Sequence, residues 1–536
     1  MSTNTTSSLN RNTFFSIYRN GFLRALVRKK RFENRLINIG GLEYLNDNHR
    51  YLEILSCTDK IENNIFIRLD ISCRKDFNQY IDNQYKYIVN YINLADNVTI
   101  TRRELGELDS NLLGLTFGVN SRNRDDIGDG NRIELPSTLK ILEIRSEYRH
   151  NSSFFDSRLI TDLLINLPSK LRVLELPKLY NIQSTQSIVL PDTLDNFHYH
   201  SSQKNLEKFV VVPNKVFKDC KLLANNPKDF DWLHRNPWII DVVIQNITLI
   251  NRGLLPSNIT KLSINCICEI ELGSLPLELK WLSSHGCIPL VKDTLPPKLK
   301  ILYIRHISNN LEIFSIPPSL DYLSIMGYTG TLEPRVLPNN LSKLELTSYD
   351  LLLEAGVLPL SLTDLVLSNY NHPLKSHVLP NSLTRLDMLN FNSTLEPHSL
   401  PPSLTNIIFY SFKKSFQQIG PLDRLETLTI SHLNQSIETM ISNIEKLSLT
   451  VYSIQDNVNL QQNNTMKELS LNVRDKYLDY KGLLLPQSLV KLKTIGILIN
   501  QTLIPNGCIE LITDNINVNK QFIPSSVKNV SFAFTH

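Results

Sequence analysis

The sequence predicts a solenoid, a parallel β-sheet of short strands built from repeats of about 21 residues, with a small helical cap at its N-terminal end. Three observations predict it. The string L-P-x-x-L places prolines at Pro256, Pro276, Pro296, Pro317, Pro338, Pro359, Pro380 and Pro401, in steps of 20 or 21 residues. Apolar residues then recur at fixed offsets from each proline. Finally, the chain has 26 prolines against 18 glycines, and strand and helix interiors reject proline, so these prolines must sit at particular positions between elements.

Each element of the repeat follows from these offsets. Counting from the proline, apolar residues fall at +3, +6, +8, +11 and +15: Leu383, Leu386, Met388, Phe391 and Leu395 after Pro380, and Leu362, Leu365, Leu367, Tyr370 and Leu374 after Pro359. The +6/+8 pair has period two, which makes it a short strand with both side chains on one face. The +6 column runs Leu262, Leu282, Leu302, Leu323, Leu344, Leu365, Leu386, Ile407, Leu428 and Leu447. The proline precedes the strand, where its missing N–H breaks no ladder bond. The +11 and +15 residues follow it, where the chain turns back over the core. One such repeat cannot bury enough apolar surface to offset the ordering of its backbone, so copies must stack. The phase persists at Pro136, Pro168, Pro191, Pro213 and Pro237 upstream and at Pro486, Pro505 and Pro524 downstream. Between 422 and 463 the proline is lost but the apolar frame continues, as in LDRLETLTI (422–430) and ISNIEKLSL (441–449). About 18–20 copies spaced 4.8 Å apart would make a stack of about 90 Å.

The kernel L-x-x-L-x-L, seen in LTDLVL (362–367) and LTRLDM (383–388), resembles the leucine-rich repeat. A typical leucine-rich repeat has asparagine at +11. Here that position holds Tyr328, Tyr349, Tyr370, Phe391 and Phe412, with asparagine one residue later at Asn371 and Asn392. The strings YNHPL (370–374) and FNSTL (391–395), each followed by an LPxSL anchor, resemble the FNIP repeat family, a leucine-rich-repeat relative of the social-amoeba type. The resemblance covers roughly residues 100–536. Tyr370 stands in place of the signature phenylalanine, and Ser393 and Thr394 in place of its x-P. The family implies a repeat-built interaction protein. Some members carry an F-box or a kinase domain beside the repeats, and this chain has no kinase signature.

The domain organisation expected is a polar tail at 1–12, a helical cap region at 13–100 and the repeat solenoid at 101–536. In the segment 13–32, Phe14, Tyr18, Phe22 and Leu26 recur at four-residue steps, with Arg24, Arg28, Lys29, Lys30 and Arg31 among or after them. This reads as an amphipathic helix with a basic end. It would cap the first coil or, in a second reading, dock an adaptor as an F-box does, which would make the chain a substrate-recognition subunit of a ubiquitin ligase. The L-P-x-x-L-L opening of an F-box is absent from it. Membrane-surface binding through the basic cluster is a lesser alternative.

Composition and motifs argue against other classes. The 536 residues carry a net charge of +4, so charge gives no reason to expect nucleic acid or an anionic membrane as partner. The start is polar and no apolar run reaches the roughly 18–20 residues that span a bilayer. Seven scattered cysteines read as reduced thiols of a cytoplasmic protein. No G-x-x-x-x-G-K-[ST], H-E-x-x-H or C-x-x-C occurs, and no cofactor or metal is expected. Cys266 and Cys268 share one face of an extended segment but lack a second ligand pair, so they read as core residues. In RDDIGDGNR (124–132), counting from Asp125 puts Ile127 and Pro136 at calcium-ligand positions, and neither can serve. His377 and His398 occupy the same +18 position of adjacent coils and read as stacked surface neighbours. The expected class is therefore a non-enzymatic protein-interaction scaffold, with partner and oligomeric state left open.

In such a coil the +5, +7 and +9 positions point out from the sheet. Around 281–326 they include Trp281, Ile301, Tyr303, Arg305, Tyr322 and Met326. Around 343–387 they become a charged ladder, with Lys343, Asp364 and Arg385 at +5 and Glu345, Val366 and Asp387 at +7. Exposed aromatics with Arg and Met beside a charged strip have the composition of a protein-binding patch. The competing reading is that another segment of the chain covers them.

Overall fold

A computed structural model describes residues 21–119, 134–146, 155–178, 180–307, 310–475 and 482–533. The chain divides into two units, Met1–Val243 and Ile244–His536. Each is a solenoid of parallel strands.

In the second unit the repeat behaves as its offsets predict. Leu262, Leu282, Leu302, Leu323, Leu344, Leu365, Leu386, Ile407 and Leu428 are mutual register partners on successive strands, and all are buried. One member of the column is corrected. Leu428 pairs with Leu449, so Leu447 stands two residues out of register with it. The strands Thr427–Leu433 and Lys446–Ile454 are longer than those before them. A slip of two residues keeps the same side chains on the core face, so the alternating pattern tolerates it.

The anchor L-P-x-x-L is a turn. The carbonyl of Pro359 accepts from Leu362 N–H at 3.2 Å and that of Pro380 from Leu383 at 3.1 Å. The serine of LPxSL stitches coils together: Ser361 and Ser382 donate to the Leu341 and Leu362 carbonyls of the preceding coil, each at 2.6 Å. Three residues before each proline the backbone is left-handed, at Gly273, Asp293, Phe314, Arg335, Gly356, His377 and His398. Glycine takes this conformation without strain, whereas Phe314 and Arg335 adopt it at a steric cost.

The +11 rings form a buried stack. Tyr328 and Tyr349 lie 6.2 Å apart and 7° from parallel, and Phe391 and Phe412 5.7 Å apart and 3° from parallel. One residue later runs a second ladder. Asp350 Oδ1 accepts from the N–H of Asn371, Asn371 Oδ1 from Asn392, and Asn392 Oδ1 from Lys413, at 2.8–3.0 Å. The aromatic thus fills the core, and the side chain at +12 satisfies the backbone where the coil turns.

The first unit stacks strands before residue 101. Leu36–Ile39 pairs in parallel with Phe66–Ile71, which pairs with Tyr91–Leu94, which pairs with Gly114–Val119. The region 13–100 is therefore not only a helical cap, because coils begin at Leu36. They escape the 21-residue phase because their connections carry helices of differing length: Leu42–Leu52, Cys57–Glu62, Arg74–Ile81 and Arg158–Ile165. Leu36 pairs with Phe66, 30 residues on, but Tyr91 with Gly114, only 23 on. The helix ends are written locally. Ser56 and Thr101 each accept from the N–H three residues on, and Asp59 and Glu104 reach back to close capping boxes.

Candidate functional site

The outward face of the second unit is built by small residues making room for large ones. Trp281, Ile301 and Tyr322 are register partners in one row, and Ser283, Tyr303 and Ser324 in the next. The two serines flank Tyr303, so its ring spreads toward both neighbours. Trp281 lies 5.9 Å from Tyr303 between ring centroids, and Tyr303 lies 4.9 Å from Tyr322 at 73°, edge to face. Such pairs contribute about 0.5–1.5 kcal/mol beyond their burial. Trp281, Ile301, Tyr303 and Tyr322 are half-buried by this mutual packing. Arg305 and Met326 stand exposed at the far end of their strands, Met326 at 54%. Among the described residues Arg305 has no ion pair or ring contact, so the structure gathers four of the six sequence candidates and leaves these two at the margin.

The aromatic row runs directly into the charged one. The Tyr322 phenol donates to Glu345 Oε2 at 2.8 Å, and burial together with this carboxylate pushes its pKa well above the ordinary tyrosine value. Arg385 reaches Asp364 Oδ1 through Nη1 and Asp387 Oδ2 through Nη2, each at 2.9 Å. Burial raises the pKa of the Asp387 carboxyl, Arg385 opposes this, and Asp364 and Glu345 add to it. These side chains line a cavity of about 420 Å³ that includes Tyr322, Lys343, Val366 and Leu389. A second cavity, of about 690 Å³, lies among the L-P anchors near Leu277, Pro297, Phe314 and Pro318. The offsets missed it, although Leu277 and Phe314 are apolar at positions the repeat leaves open, 68% and 75% exposed.

Chemistry-bearing residues elsewhere are dispersed. Cys268 is buried and its thiol is pushed up to about 12 by that burial, while Cys266 donates to the Ile247 carbonyl. His377 and His398 stack 5.7 Å apart and 6° from parallel, both exposed. In the first unit His198 and His200 stack at 4.8 Å, and burial lowers the His200 pKa to about 3, with His198, Lys221 and Lys178 adding to it. Among the described residues no group of three or more His, Cys, Asp or Glu could hold a metal ion, and no helix is long and apolar enough to cross a membrane. The stretch 124–132 lies outside the described residues. Of the segment 13–32, the structure describes the helix Gly21–Phe32, whose Lys29 pairs with Asp59 at 2.7 Å.

Parallel in-register strands on an L-x-x-L-x-L kernel define a leucine-rich-repeat-like solenoid. Its central coils match the FNIP Repeat family model at residues 289–328, 330–369, 349–390 and 391–420, so that stretch of the chain is similar to FNIP repeats. No curated protein matches it. Among solved structures it is similar to CroV588, described as a novel circular LRR protein, at 19% identity over 83% of this chain and 69% of that one, with a TM-score of 0.45. It is also similar to YopM from Yersinia enterocolitica WA-314 (18% identity, 78% and 91% covered, TM-score 0.35). A third is an internalin, InlF, from Listeria monocytogenes (16% identity, 70% and 89% covered, TM-score 0.30).

Proposed function

We propose that this chain is a non-catalytic protein-interaction scaffold whose outward face over 281–389 receives another protein, or an extended segment of one. The observation that carries this reading is the half-buried cluster of Trp281, Tyr303 and Tyr322, whose Tyr322 lines the charged cavity. Aromatic anchors rimmed by polar groups form the energetic centre of many protein interfaces. Their mutual packing pre-orders the rings, which lowers the entropy lost on binding. The Lys29–Asp59 ion pair favours capping of the first coil over adaptor docking as the role of the helix Gly21–Phe32. Free cysteines, with Cys220, Cys268 and Cys508 buried, favour a cytoplasmic setting.

The test is affinity capture from the source cell with the parent chain and with Trp281→Ala combined with Tyr322→Ala, circular dichroism verifying that both are folded. The double variant should lose at least one partner that the parent holds. Retention of every stable partner by a folded double variant would sink the reading.

A further inference from the structure

The charged cavity specifies what kind of side chain the partner brings. We propose that it seats a cationic side chain, lysine or arginine, of a partner segment lying across the outward face, an inference that rests on the binding-face reading above.

The geometry is set by register. Glu345, Val366 and Asp387 are successive partners on three adjacent strands. Strands lie about 4.8 Å apart, which sets the Cα atoms of Glu345 and Asp387 roughly 9–10 Å from one another. That is a gap in which one ammonium or guanidinium can donate a charge-assisted hydrogen bond, about 2.8 Å long, to the carboxylate on each side. Between them Val366 offers an apolar floor for the methylene stem of a long basic side chain.

Charge complementarity fixes the sign of the guest. The lining holds three carboxylates, Glu345, Asp364 and Asp387, against Lys343 and Arg385. Arg385 is committed to Asp364 and to one oxygen of Asp387. Glu345 receives only the neutral Tyr322 phenol on its Oε2, and among the described residues neither it nor Lys343 makes an ion pair. Burial already disfavours the charge on Asp387, so an added cation is stabilised there and an added anion repelled. The aromatic cluster begins at Tyr322, on the cavity's edge and two strands from Val366. At about 3.3 Å per extended residue, a segment anchored on the rings would carry its basic residue roughly two to four positions from an aromatic or aliphatic one.

The test uses a random twelve-residue peptide display library selected on the full-length chain, followed by titration of the selected synthetic peptides. Three further proteins are compared: Glu345→Gln with Asp387→Asn, Trp281→Ala with Tyr322→Ala, and Val366→Arg, which places a tethered cation in the cavity. Selected peptides should be enriched in Lys or Arg near an aromatic. They should bind the carboxylate variant at least tenfold more weakly, and replacing their basic residue by methionine should add no further loss in that variant. Val366→Arg should abolish the basic preference while remaining folded. Face-dependent peptides that lack a basic residue, or that ignore the carboxylate variant, would overturn this inference and leave the binding face intact. A selection yielding no peptide sensitive to Trp281→Ala with Tyr322→Ala would overturn both.

Discussion

His200 illustrates how one residue couples position to behaviour. It lies on an outward row beside His198, with Lys221 as its register partner on the next strand. Burial, with His198, Lys221 and Lys178 adding to it, holds its pKa at about 3, against an ordinary value of 6.5. Between those values the unfolded chain binds a proton that the folded chain does not, so stability rises with pH through this window and is lost as pH falls through it. Urea unfolding at a series of pH values should therefore show a decline toward acid that His200→Gln flattens. Parallel curves for the two proteins would contradict the assignment. At the same scale, the outward candidates were legible because +5, +7 and +9 are fixed by strand geometry. What the pattern could not give was which rings meet. Tyr303 bridges Trp281 and Tyr322 because Ser283 and Ser324 flank it, and that needs the register.

Legibility at the scale of the coil depends on whether connections have constant length. From Pro256 to Pro401 every connection turns the same way, so one period exposes strand, turn and core together. Upstream, helices such as Leu42–Leu52 and Arg74–Ile81 stretch individual coils and erase the period while the strands keep stacking. The shift of asparagine from +11 to +12 was visible in sequence as a departure from the leucine-rich pattern, but its consequence was not. The backbone N–H of Lys413 depends on the Asn392 side chain, so Asn392→Leu leaves it without that partner. The bond is exposed, so water takes the vacated place and the cost is that of one ordinary hydrogen bond, about 0.5–1.5 kcal/mol. Thermal unfolding should register a loss of that size, with faster amide exchange at Lys413 and little change at distant coils. A uniform change in exchange along the chain would argue that the ladder is not the cause.

For the molecule as a whole, stacking makes function a property of rows that no single coil contains. The proposed partner face spans the strands from Trp281–Cys287 to Arg385–Asp387, and each repeat contributes only two or three side chains to it. The period that makes the coils foldable leaves their outward positions free to differ, so aromatic and charged segments can adjoin on one surface. The measurement that tests this most directly is site-specific photo-crosslinking in the source cell, with a benzophenone amino acid replacing Tyr303 and, as a control, Tyr452, an exposed residue on the later strand Lys446–Ile454. A discrete adduct formed from position 303, absent from 452 and lost when Trp281→Ala and Tyr322→Ala are added, is the predicted result. The absence of any adduct from 303, or an adduct indifferent to those substitutions, would contradict the claim that this face is where the protein binds its partner.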